Sequence, residues 1–183
     1  LEPMAEALRR LGMTRAIVLH GHGGLDEATL SGPSELRVLE SGTIRSAWLD
    51  PTALGLELAP PEALAGGDLA TNRAILEAVL QGRASQAQTD AVALNAALVL
   101  WVAERCNDFE SGLEQAQQAL RSGSPWQRLE ALPGERMQRL RRVARTQGLI
   151  LDPVYNAKVA LALFRRVAAG DIARGSTVVL VNT

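Results

Sequence analysis

The spacing of apolar residues along the chain predicts short helices and strands in alternation. Met4, Leu8 and Leu11 recur at helical spacing and predict a helix over residues 3–11. Residues 15–20 are apolar through their centre, which predicts a buried strand. Two alternating segments separated by a Glu-Ser-Gly turn predict an antiparallel pair. These two segments span residues 35–39 and 43–49.

Helical spacing dominates the following part of the chain. Residues 86–105 are apolar almost all round, which predicts a central buried helix. Asn95 lies inside it, and we expect its amide to find hydrogen-bond partners within the core. Asp68 and Asp108 are suited to cap helix N-termini, and Gly123 is suited to end a helix. The predicted helices span residues 68–80, 86–105, 109–120 and 126–132. Together with the strands they predict an α/β fold, in which helices pack on a partial parallel sheet.

The character of the sequence changes after Pro133. Five arginines fall within residues 136–145 and predict a basic helix. Because no aromatic residues alternate with them to stack on bases, we interpret this helix as a solvated face. A helix over residues 157–169 and a strand over residues 177–181 complete a helix-strand tail. We therefore divide the chain into two regions, residues 1–132 and 133–183.

The amino-acid composition limits the classes of protein to which this chain can belong. Aromatic residues make up only 3% of the 183 residues, so the core must be aliphatic. The net charge of −1 gives no reason to expect a nucleic-acid partner. The longest apolar run, residues 91–103, is interrupted by Asn95 and is too short to cross a bilayer, so no membrane partner is expected. The single cysteine, Cys106, excludes an intramolecular disulfide and suits a reducing, cytoplasmic compartment.

Charge is divided unevenly between the two regions. Residues 1–132 hold 17 acidic and 10 basic side chains, a net of −7, whereas residues 133–183 hold 3 acidic and 9 basic, a net of +6. Such asymmetry is typical of a basic interaction tail or of two pieces of different origin. One hypothesis is therefore a non-catalytic scaffold or interaction module, in which the arginine-rich helix contacts the acidic region.

A glycine-rich turn with two adjacent carboxylates follows the first predicted strand. Gly21, Gly23 and Gly24 precede Asp26 and Glu27. An apolar strand that opens into a glycine loop brings backbone close to a ligand in many α/β proteins. Paired carboxylates in such a loop can hold Mg²⁺, which usually shares its oxygen ligands with substrate phosphates. The alternative is that both are solvated turn residues.

Six stretches of the first region share their order and spacing with a known family. They are LEPMAEALRRLGMTRAIVLHG, GLDE, LSGPSEL, ALAGGDLATNRAILEAVLQG, TDAVALNAALVLWVAE and FESGLEQAQQALRSGSPWQRLEAL, which together extend over residues 1–132. In these stretches the chain resembles the anthranilate phosphoribosyltransferase family. The resemblance implies phosphoribosyl transfer from phosphoribosyl pyrophosphate (PRPP) to anthranilate, with Mg²⁺ on the pyrophosphate. It implies that Asp26 and Glu27 are the metal-binding pair, and it assigns no catalytic side chain.

The resemblance also implies that much of the family's site lies outside this chain. The family's glycine-rich diphosphate loop, its lysine-histidine-glycine-asparagine segment, its anthranilate-binding arginine and its helical dimer domain all precede the position of Leu1. We therefore expect a fragment that is inactive alone. Missing upstream strands leave sheet edges unpaired, and either the tail strand or a homo-oligomer would cover them.

The tail resembles a different family. ARTQGLILDPVYNAKVALALFRRVAAGDI and STVVLVNT are similar to the carboxyl-terminal segment of D-cysteine desulfhydrases and aminocyclopropane-carboxylate deaminases, which use pyridoxal phosphate (PLP). The resemblance implies that Tyr155 matches a tyrosine of that family's active site and that Asn156 matches a residue near the pyridine nitrogen of the cofactor. The cofactor lysine lies upstream in that family and Lys158 does not match it, so PLP is not expected here. The third hypothesis is that the chain is a remnant of a PLP-dependent enzyme. The two resemblances together predict that the chain is a chimera, joined near residues 132–135.

Overall fold

The computed structural model describes residues 1–131, and its elements follow the predicted ones closely. The helices are α1 (Glu2–Arg10), α2 (Leu69–Leu80), α3 (Gln86–Val102), α4 (Phe109–Ser122) and α5 (Ser124–Glu130), and the strands are β1 (Arg15–His20), β2 (Ser34–Glu40) and β3 (Thr43–Leu49). Two 3₁₀ turns, Pro51–Leu54 and Pro61–Leu64, separate β3 from α2. The predictions for the tail, including Tyr155 and Asn156, lie outside the described residues.

The three strands form one antiparallel sheet in the order β1-β2-β3. The predicted antiparallel pair is confirmed as β2 and β3, which are joined through Ser41 and Gly42 with φ of 48° and 81°. Positive φ at both positions is typical of the tight hairpin turn whose twist matches that of the flanking strands. β1 also pairs antiparallel with β2, from Arg15 opposite Glu40 to His20 opposite Glu35.

The α/β fold class is confirmed, but the prediction of a parallel sheet is wrong for the described part of the chain. β1 leads through a single loop, residues 21–33, directly back into β2. Parallel neighbours need a crossover connection that returns the chain to the same end of the sheet, usually through a helix, and no helix lies between these strands. The short loop therefore imposes the antiparallel arrangement.

One face of the sheet packs on α3, which in turn packs on α4, and these contacts form the main core. Leu36 and Val38 of β2 and Leu94 of α3 are fully buried there. Trp101 lies edge-on to Phe109, with ring centroids 5.6 Å apart. Each fully buried aliphatic side chain of this kind contributes about 1.5–3 kcal/mol relative to an exposed one.

Helix α3 is less completely buried than its composition predicts. Val92 and Val99, two turns apart, are 42% and 67% exposed, so one apolar stripe of this helix is uncovered in the described part of the chain. The helix also ends at Val102 rather than near residue 105, because Glu104 adopts a left-handed conformation with φ of 57°. β1, predicted as buried, is an edge strand of the sheet formed within residues 1–131, and its burial alternates.

The predicted helix caps are confirmed. The Asp68 carboxylate accepts a hydrogen bond from the Thr71 amide at 2.8 Å, and the Asp108 carboxylate accepts one from the Ser111 amide at 2.8 Å. Gly123 ends α4 with φ of 68°. These contacts satisfy amide groups that a helix leaves unpaired at its N-terminus. Within residues 1–131, no helix has the length and hydrophobicity needed to cross a membrane.

Candidate metal-binding loop

The connection between β1 and β2, residues 21–33, holds the two carboxylates that the sequence singled out, and we call it the acidic loop. Asp26 and Glu27 are both exposed on it. All the ion pairs present within residues 1–131 use other carboxylates. The structure therefore presents two adjacent carboxylates to solvent at the end of a strand.

The first half of the acidic loop is held by the backbone of Gly21. The Gly21 amide donates a hydrogen bond to the Leu25 carbonyl at 2.8 Å, and the Gly24 amide donates one to the Gly21 carbonyl at 3.1 Å. Gly23 and Gly24 have φ of 77° and 90°, a region that glycine adopts at little cost. A Cβ on Gly21 would overlap the Glu27 carbonyl oxygen. Glycine at this position therefore lets the loop fold back on the end of β1.

The second half of the loop is held by a side chain of α3. The Ala28 amide donates to Asn95 Oδ1 at 3.0 Å, and Asn95 Nδ2 donates to the Ala28 carbonyl at 2.8 Å. Asn95 Nδ2 also donates to the Ala91 carbonyl, one turn earlier in α3, at 3.0 Å. The prediction that this amide finds its partners within the core is confirmed, but sequence reasoning missed that one of them is the acidic loop.

Burial reinforces the end of the loop after the carboxylates. Ala28, Thr29 and Leu30 are each 3% exposed or less. The Leu30 carbonyl accepts a hydrogen bond from the Ala59 amide at 3.0 Å, which connects the loop to the segment after β3. The exposed pair Asp26 and Glu27 thus lies directly before a buried, hydrogen-bonded stretch.

An open concavity of about 640 Å³ adjoins the acidic loop. Leu25 and Leu58 contribute apolar side chains to its wall. The His22 ring lies against Gly32, where it occupies the space that a Cβ would need. The remaining residues around it are Gly23, Ser31, Ala59, Pro60 and Pro61. The concavity has a volume in the range typical of binding clefts, and Asp26 and Glu27 do not line it.

The two carboxylates of the loop suit Mg²⁺ better than they suit a metal ion whose ligands are all protein side chains. Within the described residues there is no group of three or more histidine, cysteine, aspartate or glutamate side chains placed to bind one ion. Two carboxylates leave most of the coordination shell to water and substrate oxygens. Mg²⁺ is usually bound in this way, through one or two carboxylates together with substrate phosphates.

Two other features of the described residues, a Gly-Gly turn before α2 and the single cysteine, could indicate a functional site, but both are structural. Gly67 is hydrogen-bonded through both its amide and its carbonyl to the Asn72 side chain, at 2.9 and 3.0 Å, so its amide is not free for a phosphate. Cys106 is buried, and burial raises the pKa of its thiol, which disfavours the nucleophilic thiolate. The Gly-Gly turn before α2 is therefore a helix start and Cys106 is a core residue.

Comparison with known proteins places the first region in a defined group. A family model described as glycosyl transferase family, a/b domain, matches residues 1–125. The chain is similar to the anthranilate phosphoribosyltransferase of Synechococcus sp. (strain WH7803), with 59% identity over 132 residues, which is 72% of this chain and 38% of that protein. The chain thus spans a little over a third of the length of this relative.

Solved structures of the same enzyme share the fold. The crystal structure from Thermus thermophilus is 40% identical with a TM-score of 0.63, over 71% of this chain and 38% of that one. The Saccharomyces cerevisiae enzyme in complex with PRPP and Mg is 23% identical with a TM-score of 0.57, over 63% of this chain and 33% of that one. At the lower identity the likeness shows the fold alone.

Proposed function

The chain belongs to the glycosyl transferase family, a/b domain, and from this membership we propose that residues 1–131 form the metal-binding part of an anthranilate phosphoribosyltransferase. The similarity to the Synechococcus enzyme supports phosphoribosyl transfer as the reaction, with PRPP and anthranilate as its substrates. The observation that carries the proposal is the exposed pair Asp26 and Glu27 on a loop held at both ends.

Asp26 and Glu27 are the residues that would hold the ion. When bound, Mg²⁺ neutralises charge on a diphosphate leaving group and so favours cleavage of the bond to the ribose. The protein contributes by presenting both carboxylates from a loop whose backbone is already fixed at Leu25 and Ala28. A fixed loop avoids the entropic cost of ordering the ligands when the substrate arrives. Such a reaction depends on positioning and charge, with little need for a protein nucleophile.

We propose that transfer needs further groups, from parts of the enzyme outside the matched region. The matched part is 38% of the length of the Synechococcus relative, and the acidic loop holds no lysine or arginine to contact the phosphates. The chain alone is therefore expected to bind the metal-diphosphate unit weakly and to be inactive. A cytoplasmic location stays a prediction, as does the covering of an unpaired sheet edge by the tail strand or by a homo-oligomer.

Calorimetric titration of the full chain with Mg²⁺ in the presence of inorganic pyrophosphate tests this proposal. The test variant combines Asp26→Asn with Glu27→Gln, which keeps side-chain size and removes both charges. The matched control combines Glu110→Gln with Glu114→Gln, two exposed carboxylates on α4 that change the net charge equally. We expect saturable binding by the wild type and the control, and its loss in the test variant.

Two results would contradict the proposal. Equal binding by the test variant and the wild type would show that the metal binds elsewhere on the chain. No binding by the wild type, with circular dichroism showing a folded protein, would show that the acidic pair does not hold the ion at the concentrations used.

A further inference from the structure

We infer that Asn95 is a positioning residue that fixes the backbone of Asp26 and Glu27 through its paired hydrogen bonds to Ala28. Asn95 forms no hydrogen bond to either carboxylate, and it lies 67 residues after Ala28. Its importance for metal binding rests on the proposed function, but its control of the loop conformation does not.

The hydrogen bonds of Asn95 define one orientation of its carboxamide. Oδ1 accepts from the Ala28 amide, and Nδ2 donates to the carbonyls of Ala28 and Ala91. Both Nδ2 donors are therefore used, and rotation of the amide by 180° would set donor against donor at the Ala28 amide. Because only one orientation satisfies all three partners, the side chain is a rigid connection between α3 and the loop.

The helix that supports Asn95 is itself held by the core. Leu94 and Ala93 on one side of it, and Ala97 and Leu98 one turn later, are at most 4% exposed. A functional loop attached to a packed helix is held more accurately than one attached to another loop. The position of Ala28 is thus set by the packing of α3 against the sheet.

The acidic pair lies between two fixed points. The Leu25 carbonyl accepts a hydrogen bond from the Gly21 amide at 2.8 Å. The Ala28 amide and carbonyl are hydrogen-bonded to the Asn95 side chain at 3.0 and 2.8 Å. Only Asp26 and Glu27 lie between them. Release of Ala28 would leave Leu30 as the next hydrogen-bonded point, so four residues instead of two would lie between the fixed points and the two carboxylates would lose their fixed relative placement. This explains why a polar side chain is present in a helix that is otherwise apolar at its centre.

Amide hydrogen exchange of the full chain, followed by NMR without metal, tests the inference directly. In Asn95→Ala we expect exchange at the Ala28 amide to become about tenfold faster or more, as loss of its hydrogen bond to Asn95 implies. The backbone chemical shifts of Asp26 and Glu27 should change with it. Asn95→Asp keeps the Oδ1 acceptor but sets a second carboxylate oxygen against the carbonyls of Ala28 and Ala91, so faster exchange at the Ala28 amide is expected here too. It also provides the measurement if Asn95→Ala does not fold.

Asp90→Ala is the matched control, because it removes another polar side chain from α3. Asp90 is 4% exposed and accepts from Gln86 and Gln117, neither of which belongs to the acidic loop. Its exchange rate at the Ala28 amide should stay at the wild-type value. The same four proteins are then titrated with Mg²⁺ and pyrophosphate, and Asn95→Ala should bind more weakly than Asp90→Ala.

The outcomes separate this inference from the proposed function. Unchanged exchange at the Ala28 amide in folded Asn95→Ala, or an equal increase in Asp90→Ala, would overturn the inference. Faster exchange with undiminished Mg²⁺ binding would also overturn it, because Asn95 would then be structural only. Faster exchange confined to the Asn95 variants, with no Mg²⁺ binding by the wild type, would support control of the loop by Asn95 and contradict the proposed function.

Discussion

We expect an active chimeric enzyme, called the graft below, to lose about 100-fold or more of its transfer rate when Asp26 and Glu27 are replaced by Asn and Gln. The reason is that a bound metal contributes several kcal/mol of charge stabilisation. The graft is the Synechococcus enzyme with its matched 132-residue segment replaced by that of this chain. The graft supplies the remaining groups of the site, so the effect of the two carboxylates can be measured as a rate.

The loss should appear with both substrates at saturating concentration and should be partly reversed by raising Mg²⁺. The rate of anthranilate consumption, followed by its fluorescence, is the measurement. The graft with Glu110→Gln and Glu114→Gln is the control and should retain its rate, because both residues lie on α4. A rate within a few-fold of the unsubstituted graft would contradict the assignment of the metal site, since that corresponds to less than about 1.4 kcal/mol.

The second large effect is expected from Gly21→Ala. The added methyl group would overlap the Glu27 carbonyl oxygen, and a backbone atom cannot rotate away as a side chain can. The loop must open, which lengthens the hydrogen bond between the Gly21 amide and the Leu25 carbonyl. We expect the free energy of unfolding to fall by about 1–3 kcal/mol, as overpacking typically costs, and Mg²⁺ binding to be lost.

Urea unfolding and the Mg²⁺ titration of the full chain measure these two effects separately. Gly67→Ala is the control, because a Cβ there would first meet the Thr71 side chain, at 3.0 Å, rather than a backbone atom. Its stability and its metal binding should change little. Wild-type stability together with wild-type binding in Gly21→Ala would show that the loop tolerates displacement, and that its close approach to β1 is not required.

Periodicity in the sequence was sufficient to locate the helices and strands of the described region, but not to orient them. The caps at Asp68 and Asp108 follow from local chemistry, because the capping side chain and its amide partner lie three residues apart. The direction of β1 depends on the path of residues 21–33, which periodicity does not encode. That is why a parallel sheet was predicted where the strands are antiparallel.

The candidate site was predicted in part. Asp26 and Glu27 stood out as adjacent carboxylates after a glycine turn, and the family resemblance gave them a role. The contact between Asn95 and Ala28 joins residues 67 positions apart, and the sequence indicated only that a buried amide needs a partner. Four predictions concern the tail and stay predictions. They are the match of Tyr155 and Asn156 to a PLP site, the absence of PLP chemistry, the scaffold hypothesis and the origin of the chain as a chimera.

The transfer rate of the unsubstituted graft tests the central claim most directly. If residues 1–131 retain the metal-binding part of an anthranilate phosphoribosyltransferase, the graft should consume anthranilate in a PRPP- and Mg²⁺-dependent reaction within about tenfold of the parent Synechococcus enzyme, a difference of about 1.4 kcal/mol. A graft that folds and has the parent's thermal stability but shows no PRPP-dependent consumption of anthranilate would contradict the claim.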